Sequence, residues 1–422
     1  MDINQQRIAL VVPGLSLGGG VPSVARFVKD AILRSGRYQV KLVSLAMDSA
    51  DATHLLLRSP RHWLRGVTKS SGVWEGLPYV HVGAVFGDLE FQSYRSRKAL
   101  AEAVSDCDLI QVVSGSPAWA NAVLGLGKPV AVHAATRARI ERRQRDASPR
   151  GLSGWWRRAM TEITDRMDDQ AFRRADAIQL MNSWMLGYAR TINTGRVDAD
   201  IRFAPPGVDA VFFSPIDQRD LQNDPYILCV ARLNDPRKNI ILLLEAYALL
   251  PSHLREGVRL VLAGSSGPPH SFWQRADEFG LRDRITFIER PESNELVSLY
   301  QKAALFALPS DEEGFGVVLL EAMACGIPVV STRSGGPEDI ISDGDDGYLV
   351  ALNDAVAMSK RFADLLQDPA INIAMGKKAR QMVEHRYAEE VAGQVFLDIW
   401  QGLLEKKKNL IFNTLTAVDN SL

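Results

Sequence analysis

The stretch LFALPSDEEGFGVVLLEAMACGIPVV, residues 305–330, decides the fold. Its first residues, Leu305–Leu308, form an apolar run too short for a helix and suited to a buried strand. Pro309 ends that run, and Asp311, Glu312, Glu313 and Gly314-Phe315-Gly316 follow as a loop. From Val317 to Cys325 the pattern is helical and apolar, interrupted by Glu321. Gly326 and Pro328 stop the helix, and Val329–Ser331 starts a second strand. Strand, glycine loop, helix and strand make one unit of a parallel sheet covered on both faces.

The same rhythm extends in both directions. Strands are expected at Tyr226–Val230, Leu260–Ala263 and Ile285–Ile288, with helices at Asn239–Leu249 and Ser293–Gln301. Upstream, strands are expected at Ile8–Val12, Val40–Leu45, Tyr79–Val82, Leu109–Val113, Val130–His133 and Ile178–Met181. A helix starting near Gly20–Pro22 carries Val24, Phe27, Val28, Ile32 and Leu33 on one face. The segment Ala204-Pro205-Pro206-Gly207-Val208-Asp209 resists helix and puts a boundary near 205–215. The chain therefore divides into an α/β domain over 1–207 and another over 208–388, each doubly wound and Rossmann-like. An amphipathic helix over 389–405 follows, then a tail over 406–422 expected to be frayed.

Composition narrows the function. With 49 basic and 50 acidic side chains the formal charge is -1, so bulk electrostatic binding of nucleic acid is not expected. Cys107, Cys229 and Cys325 are scattered and form neither a disulfide framework nor a zinc site, which fits a reducing cytoplasm. No apolar run is long enough to span a bilayer, and the N-terminus reads as a first strand rather than a signal peptide.

Chemistry is expected at the carboxyl ends of the strands. In the loop 309–316, Gly314 and Gly316 admit a close ligand, and the following helix start favours an anion or a sugar hydroxyl. Glu321, a carboxylate within an apolar helix, needs hydrogen-bond donors such as ribose hydroxyls. In Cys229-Val-Ala-Arg-Leu-Asn-Asp-Pro-Arg-Lys-Asn239, Arg232 and Lys238 flank a helix start and suit a diphosphate leaving group. Gly18-Gly19-Gly20 after the first strand resembles a phosphate cradle, but Ser23 stands where the dinucleotide fingerprint has its third glycine. His133, at the end of an apolar strand, is either structural or a catalytic group facing the ligand. Asp343 and Asp345 have the spacing of a metal pair but sit in a glycine turn, and no metal site is expected.

Residues 137–158 hold arginines 137, 139, 142, 143, 145, 150, 157 and 158 against Glu141 and Asp146, with Trp155-Trp156 inside. One reading is contact with an anionic membrane or a charged acceptor. The other places Leu152, Trp155, Ala159, Met160, Ile163, Met167 and Ala171 on a core-facing helical stripe.

Taken together, these residues resemble a retaining glycosyltransferase of the GT-B fold, family 4 (glycosyl transferases group 1). The family pattern, an acid and a second acid eight positions on within E-G-F-G-x-x-x-x-E-A-M-A-x-G-x-P-V-V, is present from Glu313 to Val330. Pro205–Asp209, Ser334-Gly335-Gly336-Pro337-Glu338 and Asp343–Val350 extend the likeness. The family's arginine-to-lysine spacing is one residue shorter than Arg232 to Lys238, and its lysine precedes glycine where this chain has Asn239.

The resemblance implies two domains facing a central cleft, with 1–207 on the acceptor side, 208–388 holding the nucleotide sugar, and the last helix crossing back. It implies that Glu313 lies beside the donor sugar and that Gly314, Phe315 and Gly316 bind its hydroxyls through their amides. Glu321 would accept from the ribose, Arg232 and Lys238 would hold the diphosphate, Gly19 and Gly20 would approach the phosphates, and His133 would face the reacting carbon. The implied reaction is metal-independent hexosyl transfer, with retention, from a UDP- or GDP-sugar to a sugar or lipid-linked acceptor. No cofactor is implied beyond the nucleotide diphosphate sugar as co-substrate. The implied setting is cell-surface polysaccharide or glycolipid biosynthesis; from the residues themselves, the cysteines point to the cytoplasm and 137–158 is the point of any peripheral contact on the inner membrane face. A nucleotide-sugar epimerase, a sugar phosphorylase and a non-catalytic sugar-nucleotide-binding partner subunit remain open on the same fold.

Overall fold

A computed structural model of the chain describes residues 5–15, 20–57, 63, 66–147, 151–217, 219 and 223–419. Gly18, Gly19 and Arg150, together with the side chains of Arg145 and Leu152, lie outside the described residues. The chain forms two compact units, one of residues 1–206 with 392–422 and one of residues 207–391.

The first unit contains β1 (Gln6–Pro13), β2 (Tyr38–Leu45), β3 (Lys69–Trp74), β4 (Leu77–Val82), β5 (Leu109–Ser114), β6 (Val130–Ala134), β7 (Ala177–Leu180) and β8 (Asp200–Phe203). They form one sheet in the order β3-β4-β2-β1-β5-β6-β7-β8. All neighbours are parallel except β3 and β4. That pair departs from the purely parallel sheet expected from the sequence. Glu75 and Gly76 join it with φ of 49° and 75°, the left-handed pair of a two-residue hairpin. Strand β3 is polar and mostly exposed, as suits an edge.

The second unit contains β9 (Tyr226–Val230), β10 (Arg259–Gly264), β11 (Ile285–Glu289), β12 (Leu305–Leu308), β13 (Val329–Thr332) and β14 (Gly347–Val350). Their order is β11-β10-β9-β12-β13-β14, parallel throughout. This is a doubly wound sheet whose order reverses between β9 and β12. Those two strands pair directly, with Leu305 opposite Ile227 and Phe306 opposite Leu228. The loops leaving their carboxyl ends therefore diverge to opposite sides of the sheet and open a crevice between them. The core beneath consists of Ile227, Cys229, Leu260, Leu262, Leu305 and Ala307, closed by Leu243, Tyr247, Phe272 and Phe362 from the flanking helices.

The last helix, Glu389–Asp419, continues to Asp419, where the sequence suggested a frayed tail from Lys406. Neither glycine nor proline interrupts 406–419, and Lys407 Nζ donates to Asp108 O at 3.2 Å. From Ala392 on the helix belongs to the first unit. There Phe396 meets Phe27 edge-on at 5.5 Å, and Trp400 Nε1 donates to Gln111 Oε1 at 2.7 Å.

The long helix Gly151–Arg174 corrects the stripe expected for its tryptophans. Met160, Thr161, Thr164, Asp165, Asp168, Ala171 and Phe172 are buried, whereas Trp155 and Trp156 are 69% and 49% exposed. Asp168 takes an inward position because its carboxylate binds the loops beneath, Thr164 satisfies its hydroxyl on Met160 O one turn back in the helix, and the indoles fall outside that face.

Candidate active site at the β9–β12 switch point

Sequence chemistry fixes each loop of the crevice locally. After β9 the chain turns through Asp235, whose carboxylate accepts from the Arg237 amide at 3.1 Å and pairs with Arg232 at 3.0 Å. Burial opposes ionisation of Asp235, yet the Arg237 bonds and the Arg232 charge keep its carboxyl below the usual range. Asn239 takes φ 40° and caps the next helix through its side chain to the Leu242 amide at 3.3 Å. Asparagine tolerates the left-handed backbone, and its Nδ2 donates to Asp311 Oδ1 at 2.7 Å and to Asn353 Oδ1 at 3.0 Å.

Further contacts join this loop to the one after β12. The Asp311 amide donates to Arg237 O at 2.8 Å, and Lys238 Nζ reaches Glu313 Oε2 at 2.5 Å. Both members of that ion pair are 15% exposed. Ser310 Oγ donates to the same carboxylate oxygen at 3.3 Å. Arg237 turns instead to Asp235, so Lys238 is the cation that meets Glu313. Arg232 remains half exposed at the mouth of the loop.

The loop after β13 braces Glu313 from behind. The Glu313 amide donates to Ser334 O at 2.9 Å, and the Gly336 amide donates to Glu313 O at 2.8 Å. A Cβ on Gly336 would lie 2.3 Å from Phe315 Cα. Phe315 is itself buried, edge-on to Tyr387 at 5.7 Å. Its side chain therefore anchors the loop from below. Gly316 holds φ 102° and starts the helix Val317–Ala324 with no side-chain cap. Deeper on that helix, Glu321 Oε2 accepts from the Tyr300 hydroxyl at 2.7 Å.

Because Gly336 sits at φ −68° and ψ −40°, alanine there meets no backbone penalty, only the clash with Phe315. Gly336→Ala should therefore lose about 1–3 kcal/mol, read as a lowered melting temperature. An unchanged melting temperature would show that the two loops can separate freely.

Sequence reasoning missed the bracing by Ser334 and Gly336. Their motif, Ser334-Gly335-Gly336-Pro337-Glu338, was legible only as part of a family pattern, since the pairing partner is remote in sequence. It also missed Asp168, which accepts from the amides of Ala118 and Ala138, both at 2.8 Å, and from Ser116 Oγ at 2.5 Å. Asp168 thereby ties together the loops that follow β5 and β6. Burial pushes its carboxyl up to about 7, against the pull of those three donors. The available signal was an acid inside a helix at the spacing of Thr161, Thr164 and Asp165.

In the first unit the structure corrects His133. The ring is fully buried, with Nε2 3.0 Å from Ala204 O and its plane tilted 34° from Phe396 at 5.5 Å. It packs in the sheet core beneath the last helix and is not presented to a ligand, because strand alternation turns it inward one residue before the end of β6. Gly20 is the exposed first residue of the helix Gly20–Arg34, and open space surrounds its Cβ position.

Burial lowers His133 to about 4, opposed by the bond to Ala204. The folded chain thus favours the neutral ring. Its contribution is complete above pH 6.5, declines as pH falls from 6.5 to 4, and totals about 3 kcal/mol over that window. Denaturant unfolding of His133→Phe should show the variant gaining on the parent by that amount between pH 7 and pH 4. A difference constant across the window would contradict the buried neutral ring.

Among the described residues no group of three or more His, Cys, Asp or Glu is placed to hold a metal ion. Asp343 and Asp345 pair instead with Arg333 and Lys378, at 2.7 and 2.5 Å.

Comparison with known proteins follows the same geography. Residues 215–382, which include the whole crevice of the second unit, match the family Glycosyl transferases group 1. The chain is 30% identical over 226 residues to the GDP-mannose-dependent alpha-(1-6)-phosphatidylinositol monomannoside mannosyltransferase of Mycolicibacterium smegmatis, covering 50% of this chain and 58% of that one. It is 38% identical over 183 residues to the D-inositol 3-phosphate glycosyltransferase of Mycolicibacterium paratuberculosis, covering 41% and 40%. The chain thus spans about half the length of the curated relatives it matches. In fold it is similar to a sucrose-phosphate synthase from Thermosynechococcus elongatus, with TM-score 0.67, 20% identity and coverage of 95% and 100%. It is also similar to Anabaena HepE solved with UDP and glucose, with TM-score 0.66, 17% identity and coverage of 93% and 99%.

Proposed function

We propose that this chain, which belongs to the group 1 glycosyl transferases and has the GT-B fold, is a retaining hexosyltransferase. It moves a hexosyl unit from a nucleotide diphosphate sugar to an acceptor hydroxyl, in the making of a cell-surface polysaccharide or glycolipid. The observation that carries this reading is the pairing of Lys238 with Glu313 across the two loops of the switch point, with Arg232 at the same mouth.

A diphosphate competes for Lys238. When it enters, the ammonium turns from Glu313 to the phosphate oxygens, and Arg232 adds a second cation. Both stabilise the charge that develops as the sugar–phosphate bond breaks. Glu313, released from its partner, stands beside the sugar ring. The uncapped helix start after Gly316 offers backbone amides to sugar hydroxyls, and Glu321 accepts from the ribose. No metal is required in this scheme. The names of the relatives and structures include GDP-mannose, UDP and glucose, so both UDP- and GDP-sugars are donor candidates.

A thermal-shift screen of nucleotide sugars tests the proposal. A donor at 100 times its dissociation constant should stabilise the chain by about 2.7 kcal/mol. Stabilisation by one base series, followed by nucleotide release with an acceptor alcohol, is the expected result. No shift with any nucleotide sugar would count against it, and binding with no release in any acceptor mixture would indicate a binding partner subunit.

A further inference from the structure

The helix Gly151–Arg174 is held to the first unit by its buried middle and carboxyl-terminal turns. Its opening turns differ. Trp155 and Trp156 project there among exposed residues, with Arg157 and Arg158 next in the chain. Two adjacent exposed indoles lose favourable burial, and nothing in the first unit's core requires them.

Charge separates these arginines from their neighbours. Arg137 pairs with Asp165 at 2.8 Å and Asp169 at 3.0 Å, Arg139 with Asp165 at 3.2 Å, and Arg142 with Glu90. Arg143, Arg157 and Arg158 are exposed and have no carboxylate partner among the described residues. Arg158 Nε donates to Asp146 O at 2.9 Å, which holds the short helix Arg143–Ala147 against the start of the long one. Three guanidinium groups without a carboxylate partner and an exposed indole pair thus lie at the same end of the helix.

We propose that this end is a docking surface for an anionic lipid bilayer. Trp155 and Trp156 enter the headgroup level, where an indole keeps its ring in apolar surroundings and its N–H wet. Arg143, Arg157 and Arg158 meet the acidic headgroups. The unpaired cations favour an anionic surface. Exposed indoles beside those cations match the amphipathic, negatively charged headgroup level of such a bilayer. The proposal does not depend on the catalytic reading.

The test is co-sedimentation of the full chain, without nucleotide or acceptor, with vesicles of equal phosphatidylglycerol and phosphatidylcholine and with phosphatidylcholine alone. The chain should pellet with the mixed vesicles only, and less as salt rises. Trp155→Ala with Trp156→Ala, and separately Arg143→Glu with Arg157→Glu, should each weaken binding at least roughly tenfold. Both pairs are exposed, so melting temperatures should match the parent. Quenching of indole fluorescence by brominated phosphatidylglycerol should disappear in the double tryptophan variant. Absence of pelleting, equal pelleting with both vesicles, or pelleting untouched by either double variant would each overturn the proposal.

Discussion

Replacing Glu313 by glutamine should cut transfer by roughly a hundred- to a thousandfold, while the chain stays folded and binds nucleoside diphosphate at least as well as the parent. Glutamine keeps the shape of the side chain and can still accept from Lys238 and Ser310, which now bond the carboxylate at 2.5 and 3.3 Å. The backbone bonds from Glu313 to Ser334 and Gly336 are untouched by the change. Only the negative charge that the proposal places beside the sugar ring is lost. Lys238 is then no longer held by a carboxylate, so a diphosphate need not displace it from one. The measurements are nucleotide release under saturating donor and calorimetric titration with nucleoside diphosphate. Turnover at the parent's rate would remove Glu313 from the mechanism. Loss of both turnover and diphosphate binding would mean that the residue serves the architecture of the loop.

The largest stability effect is expected at Trp400. Its side chain is fully buried, edge-on to Tyr38 at 6.1 Å and tilted against Phe396 at 6.0 Å. Its indole N–H satisfies Gln111 Oε1 at 2.7 Å, and Gln111 Nε2 passes the chain on to Gln179 Oε1 at 2.8 Å. Trp400→Ala leaves a cavity and an unpaired buried amide oxygen, and should lose about 3–5 kcal/mol. Trp400→Phe keeps most of the volume and should lose about 1–2 kcal/mol for the missing donor alone. Denaturant unfolding of the two variants checks the order. Equal losses would show that the glutamine network, and not the packing, dominates.

The strands were legible because each is a short apolar run bounded by turn residues, as Leu305–Leu308 before Pro309 shows. Strand β3 was not, since Lys69-Ser70-Ser71-Gly72 has no apolar alternation and forms only because the Glu75-Gly76 turn folds it back on β4. The site was legible where chemistry and backbone agree. Acids and glycines after a strand, and cations after its neighbour, could be placed together by the doubly wound order alone. His133 failed that test. A strand-end position does not fix which face a side chain takes, and the ring turned into the core. Trp155 failed for a related reason: the helical period allowed an inward stripe, but Asp165 and Asp168 hold the inward face through polar bonds that periodicity does not register.

A crystal structure with an intact nucleotide diphosphate sugar tests the central claim most directly. The diphosphate should lie within hydrogen-bond distance of Arg232 and Lys238, with the Lys238–Glu313 pair opened and the Glu313 carboxylate against the sugar. A diphosphate bound elsewhere, with Lys238 still closed on Glu313, would contradict it.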